Sequence, residues 1–323
     1  KLLAAFKRFY YVYMPITYFY PKSRPTQHST LIKVKKLKSN SFYFFPFFSL
    51  SCKLKNMQIK VEQSSIDMPE KTEVKDLADK LNLKAPHEAL AADVNGKICD
   101  LSTPLAEGDE VDFFHFDDPK GKEVFWHTSA HVLAQAILRL FPKAQPTIGP
   151  PIENGFYYDF DHLQISEDDF SKIEKEIKNI LSENFKPQKE VFESKEAALK
   201  AFGSNPYKKE LIEALPANSP ITAYRQGEFF DLCRGPHLHA LGKIKAFKLL
   251  KTSGAYWRGD SKNAMLTRIY GISFPDRESL KNHLFLLKEA KKRDHRVIGN
   301  QLDLFSFHEE APSMPFIHPK GMV

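Results

Sequence analysis

His127-Thr128-Ser129-Ala130-His131-Val132-Leu133-Ala134-Gln135-Ala136-Ile137-Leu138-Arg139-Leu140-Phe141 is the stretch on which the fold reading turns. Its apolar positions Ala130, Leu133, Ala134, Ile137, Leu138 and Phe141 recur at the three-and-four spacing of a helix with one buried stripe. Pro142 closes it, because proline lacks the amide that the next turn needs. His127 and His131 stand one turn apart on the same face, in line with Ala134 and Leu138. Two imidazoles bordering a buried stripe are expected to face a cleft and not bulk water.

A second motif carries chemistry of the same kind: Asp231-Leu232-Cys233-Arg234-Gly235-Pro236-His237. Phe229-Phe230 before it reads as a strand, and Gly235-Pro236 forces a turn, so Cys233 and His237 can point the same way. Three histidines and a cysteine are an acceptable zinc ligand set. They equally suit a cysteine–histidine hydrolytic nucleophile, or two unrelated motifs whose histidines never meet. Spacing alone leaves these three readings open. Lys208 and Asp231 are the charged residues of the same region that could join such a cluster.

Working outward, Gly149-Pro150-Pro151 and Asn154-Gly155 mark loops before a strand over 156–160. Ser166 followed by Glu167, Asp168 and Asp169 reads as the capped start of a helix that turns Phe170, Ile173, Ile177, Ile180 and Leu181 inward. Another amphipathic helix starts near Asp276 with Leu280, Leu284 and Leu287, then runs into a charged connector over 288–296. Residues 303–323 carry the proline punctuation of a new domain's beginning. On the N-terminal side, 117–122 reads as a polar linker. Before it come an alternating strand over 57–61 and a helix capped by Thr72 with Val74, Leu77, Ala78 and Leu81. A hairpin over 89–101 about Asn95-Gly96 and a last strand over 110–116 follow. That order in a short segment predicts a ubiquitin-like β-grasp unit, and the chain as a whole is expected to be α+β.

The net charge of +7 suggests a nucleic-acid partner, but the charge is unevenly spread. Residues 1–56 hold 11 basic residues and no acid, leaving 36 basic against 40 acidic residues in the rest. Any RNA contact beyond the leader must therefore use a local patch, and Lys243, Lys245, Lys248 and Arg258 form the best one. The leader is crowded with aromatics, as in Phe42-Tyr43-Phe44-Phe45, and has no helical period. It is read as upstream sequence outside the folded units, with Met57 the expected start. The 3 cysteines share no close spacing, which suits a reducing cytoplasm. No apolar run is long enough for a membrane span.

Several segments together resemble the editing region of bacterial threonyl-tRNA synthetases. They are 127–136, 148–159, Asn205-Pro206-Tyr207-Lys208, 231–237 and Gly254-Ala255-Tyr256-Trp257-Arg258-Gly259-Asp260, followed by the join 289–296 and Leu302-Asp303-Leu304-Phe305. The resemblance implies a TGS β-grasp domain over 57–117, an editing domain over 118–290, and a linker with the start of a class II catalytic domain over 291–323. It implies hydrolysis of the seryl ester at the 3′ end of mischarged tRNA(Thr). His127, His131, Lys208, Cys233 and His237 would be catalytic, with Asp231 on the substrate amino group and Tyr158 stacking on or hydrogen-bonding the terminal nucleotide. It implies no cofactor for that step. ATP and structural zinc belong to the family's catalytic domain, which lies beyond Val323, so ligase activity is not expected of this chain. The family's whole enzymes are homodimers; this part could be a monomer. Two alternatives stand beside it: a zinc-dependent hydrolase of the alanyl type, with His127, His131, Cys233 and His237 as ligands, and a catalytically idle RNA-binding fragment.

Overall fold

The computed structural model describes residues 56–322, apart from 63, 86, 217, 218 and 313. The leader reading of residues 1–56 thus falls, but for Asn56, outside the described residues. Where Met57 stands, the chain enters β1 (Asn56–Val61), which turns back antiparallel into β2 (Ser64–Pro69). Then come α1 (Val74–Lys80), β3 (Ala91–Val94), β4 (Lys97–Cys99) and β5 (Val111–Phe114), with β3 central between β4 and β5. A parallel bridge between Lys60 and Glu110 joins β1 to the start of β5. Ile59, Leu77 and Val111 are wholly buried in the core this makes. This is the β-grasp arrangement that strand, helix, hairpin and strand foretold. Asn95 and Gly96 take φ of 55° and 82°, as a tight hairpin turn between two strands requires.

Two local readings need correction. Thr72 does not cap α1: Glu73 holds the N-cap position, its amide donating to Asp76 Oδ2 at 3.0 Å, while the Thr72 hydroxyl donates to Pro69 O at 2.6 Å. Residues 117–122 are not all linker. Asp118 and Pro119 begin α2 (Pro119–Leu140), because proline at the first helical position loses no hydrogen bond that the helix could have made. Gly121 lets this helix start directly behind the β-grasp unit: a Cβ there would lie 1.8 Å from the His115 carbonyl oxygen.

Beyond α2 the chain forms β6 (Gln145–Pro146), β7 (Pro151–Ile152), β8 (Gly155–Asp161), α3 (Phe170–Glu183), β9 (Gln188–Phe192), α4 (Lys195–Phe202) and α5 (Pro206–Glu213). It continues through β10 (Ile221–Gln226), β11 (Phe229–Leu232), β12 (Ala246–Tyr256), β13 (Met265–Phe274), α6 (Arg277–Lys292) and α7 (His295–Gln301). An antiparallel sheet in the order β12-β13-β8-β6 packs against α2 and α3. Phe125, Leu133, Ile137, Phe156, Phe160, Ile173, Ile177 and Ile180 fill the space between, all with no exposed surface. A separate sheet, β11-β10-β9, has its own small core with α4, around Ala198, Phe202, Ile212 and Ala223. α6 carries the period expected of it, with the Asp276 side chain accepting from the Ser279 amide, yet none of its residues is fully buried. Its Phe285 and Leu286 are exposed. Among the described residues no helix is long and apolar enough to cross a membrane.

Ile177→Ala removes a wholly buried side chain where α3 meets α2. It is expected to lower the unfolding free energy by about 2–5 kcal/mol, read from the urea midpoint at constant m-value.

Candidate active site

α2 enters this site with its two histidines because its buried face there is polar. Thr128, Ser129 and His131 are among its buried residues, while His127 keeps some solvent access. The Thr128 and Ser129 hydroxyls donate to the carbonyls of Val124 and Phe125, both at 2.9 Å, so neither is left without a partner. β11 delivers Asp231, and the loop after it brings Cys233 and His237. Gly235 takes φ of 72° there, and a Cβ on it would lie 2.1 Å from the Tyr224 hydroxyl oxygen. The two motifs that sequence left unconnected therefore meet. Cys233 Sγ lies 3.2 Å from both His127 Nε2 and His237 Nε2. His131 packs against His237 with ring centroids 4.4 Å apart.

Hydrogen bonding assigns the tautomer of His237. Thr128 has one hydroxyl proton, which goes to Val124 O, so at 3.2 Å from His237 Nδ1 its oxygen can only accept. His237 Nδ1 therefore carries the proton, and Nε2 presents a lone pair to Cys233. Burial first, and the neighbouring imidazoles second, hold His237 well below the usual histidine range. His131 is depressed likewise by burial, His127 and Lys208. His127 is lowered to about 4, mainly by burial, with Lys208 reinforcing and Asp231 opposing. All three are neutral imidazoles at pH 7. Burial pushes the Cys233 thiol up to about 12, with Asp231 adding and the Gly235 amide opposing. A thiol so protonated is a poor nucleophile, which disfavours the cysteine–histidine nucleophile reading.

Beside this quartet lies a buried charge pair. Lys208, from α5, forms an ion pair with Asp231, and both are nearly inaccessible. Tyr158, from β8, donates its hydroxyl to the other Asp231 oxygen at 2.5 Å, and His131 Nε2 stands 3.8 Å from that oxygen. Tyr158 is 1% exposed, so its ring cannot stack on a nucleotide; that expectation is corrected to a hydrogen bond holding the carboxylate. Burial first, then the charge of Asp231 and this hydrogen bond, raise the Tyr158 phenol well above its ordinary value. His131 Nδ1 is buried with no partner.

Sequence reading missed the site's most distant contributor. Asp100, just past β4 in the β-grasp unit, accepts from the His237 amide and the Tyr224 hydroxyl, each at 2.6 Å. Nothing marks an acid after a hairpin strand as part of a site more than a hundred residues away. The local basic patch also fares differently from expectation. Lys243, Lys248 and Arg258 are each paired with a carboxylate, of Glu88, Glu174 and Glu210 respectively. Only Lys245 of the four is unpaired among the described residues, so they do not form an open cationic stripe.

Comparison with known proteins agrees with this architecture. Residues 221–270 match the model of the threonyl and alanyl tRNA synthetase second additional domain, and residues 55–116 match the ThiS family. A threonine–tRNA ligase of Protochlamydia amoebophila is 67% identical over 270 residues, covering 83% of this chain and 42% of the relative. One from Chlamydia trachomatis serovar L2b is 55% identical over 267 residues, with the same coverage. One from Caldanaerobacter subterraneus is 48% identical over 280 residues, covering 85% of the chain and 43% of the relative. The chain thus spans less than half the length of these relatives.

Asp100→Ala leaves a buried amide and a buried phenol unsatisfied, and is expected to cost roughly 2–4 kcal/mol of stability in urea unfolding, with Asp100→Asn costing less. Because His127 titrates near 4 when folded and near 6.5 when unfolded, the unfolded state binds more protons between those values. Stability is therefore expected to fall as pH drops from about 6.5 towards 4, with His131 and His237 adding in the same direction; urea midpoints at pH 7 and pH 5 measure it.

Proposed function

We propose that this chain, 83% of which aligns with a threonine–tRNA ligase and which matches the threonyl and alanyl tRNA synthetase second additional domain over 221–270, hydrolyses the seryl ester of mischarged tRNA(Thr). One observation carries the reading: neutral imidazoles, a buried Lys208–Asp231 pair and a partly open His127 converge from α2, β8, α5 and β11 in a region of that family likeness.

The chemistry explains the need for such a site. Serine lacks only a methyl of threonine, and a missing methylene is worth roughly 1–3 kcal/mol, about 10–200-fold, in a pocket built for the larger side chain. A second site that admits the smaller ester and hydrolyses it makes up the difference. Tyr158 and Lys208 occupy the two oxygens of Asp231, so Asp231 holds the Lys208 ammonium in place and meets the α-ammonium of the seryl group only where the substrate opens that pair. His127 is the site imidazole with solvent access, and neutral at pH 7 it can take a proton from a water molecule. That water attacks the ester carbonyl. Lys208 stabilises the negative charge that develops on the carbonyl oxygen. The tetrahedral intermediate collapses by breaking the bond to the ribose oxygen, which recovers the proton from His127. The products are serine and tRNA with a free hydroxyl. Cys233, as a protonated thiol, orients water or His127 and forms no acyl intermediate. The tRNA body is held by phosphate contacts, Lys245 among them.

A specific observation favours a second reading. The ligand atoms of His127, His131, Cys233 and His237 all lie within 4.8 Å of one another. A tetrahedral zinc site, with bonds of about 2.0–2.3 Å, separates its ligand atoms by roughly 3.3–3.8 Å. The donor set therefore fits zinc after small adjustments, and Thr128 would orient His237 as an outer partner. Zinc there would polarise water or the ester carbonyl and would make Cys233 a thiolate.

Deacylation of Ser-tRNA(Thr) against Thr-tRNA(Thr), with metal content assayed on the same sample, separates the readings. Selective loss of the seryl ester in a chelator-treated, zinc-free protein is expected, falling at least about 100-fold in His127→Ala, Lys208→Ala. Activity that tracks bound zinc favours the metal reading. A folded protein that binds tRNA and hydrolyses neither ester sinks both.

A further inference from the structure

Lys208 is carried on α5, which has 8 residues. Two turns of helix hold no geometry by themselves, so outside contacts must fix the buried ammonium. At its N-terminus, Asn205 accepts from the Tyr207 and Lys208 amides, and its side-chain amide donates to Pro146 O at 2.8 Å. Tyr207 donates its hydroxyl to Asp161 Oδ2 at 2.5 Å. The rest of the hold comes from the tip of the β12–β13 hairpin. Trp257 Nε1 donates to Glu210 Oε2 at 3.0 Å, and Arg258 Nη2 pairs with Glu210 Oε1 at 2.9 Å. Both oxygens of one α5 carboxylate are thus gripped by consecutive hairpin residues. Arg258 adopts φ of 55° in this turn, a left-handed conformation uncommon for non-glycine residues. The Trp257 ring meets Tyr207 edge-on, with centroids 5.0 Å apart, and Leu266, Leu211 and Ile148 complete a cluster separate from the main core.

We propose that Trp257, Glu210 and Arg258 form a positioning clamp that holds Lys208 against Asp231, so that the hairpin tip sets the geometry of the reacting cleft. The inference rests on the hydrolytic reading above for its effect on turnover, though not for the contact itself. None of the three touches Asp231, Cys233 or the histidines; they act through Lys208. Arg258, expected from sequence to bind RNA, is engaged in this clamp.

The test uses Trp257→Phe, which keeps a ring and removes the donor, Glu210→Ala, which removes the acceptor, and Glu210→Gln, which retains one, all in the full chain. Trp257→Phe and Glu210→Ala are expected to lower kcat for Ser-tRNA(Thr) deacylation about tenfold with KM within about twofold, while Glu210→Gln recovers most of the loss. In a Lys208→Ala background, Trp257→Phe is expected to add less than about twofold, because its route to the chemistry is gone. A loss as large as in the parent background, or unchanged kcat in both single variants, overturns the proposal. A second measurement does not depend on turnover: acetylation of Lys208 by acetic anhydride, read by peptide mass spectrometry with surface Lys209 as internal control. Labelling of Lys208 relative to Lys209 is expected to rise at least about fivefold in Trp257→Phe and Glu210→Ala as the ion pair loosens; no rise overturns the clamp. If the parent protein hydrolyses no seryl ester, the hydrolytic reading fails, and the labelling still decides whether the hairpin holds Lys208.

Discussion

A carboxylate taken out of water must be compensated by partners of good geometry, or it destabilises the fold that buries it. Asp231 is that group here, 2% exposed, with Lys208 on one oxygen and the Tyr158 hydroxyl on the other. Each partner belongs to a different element, so satisfying one charge requires β11, α5 and β8 to converge. Removing any one partner leaves the others buried and unmatched, a cost that a surface pair would not incur.

The imidazole quartet obeys a related constraint. Thr128 spends its only proton on its own helix, so it dictates which nitrogen of His237 is protonated and aims the other at Cys233. His237 is held from its backbone by Asp100, a residue of the β-grasp unit. That unit has a core of its own. It nevertheless supplies the anion that orders the loop Cys233 to His237 through both the His237 amide and the Tyr224 phenol. Docking of the small unit and order in the cleft are therefore one property.

Charge pairing accounts for the places where residue-by-residue reading went astray. Lys243, Lys248 and Arg258 look like a basic stripe when read along the chain, because their counter-ions Glu88, Glu174 and Glu210 lie far away in sequence. The resemblance places Tyr158 at the terminal nucleotide, but β8 is covered on the face that holds it. Asn95-Gly96, by contrast, was read correctly, since a tight turn depends on the residues within it. So were α3 and its inward isoleucines, whose period is local. β2, β9, β10, β12, β13, α4 and α5 lie in stretches to which the sequence pattern assigns no element; β12 and β13 are long, but their strand character rests on pairing with each other and with β8.

Taken by itself, the sequence determined the α+β class, the β-grasp order of elements and the presence of two histidine-bearing motifs, because periodicity and turn chemistry act within a few residues of each other. Tertiary structure alone decided that the motifs meet, that burial lowers the histidines and raises the thiol, and that Asp100 holds a site more than a hundred residues away. The physical reason is desolvation. Protonation and pairing depend on how much water a fold removes and on which distant groups replace it, and neither is encoded in the spacing of residues along the chain.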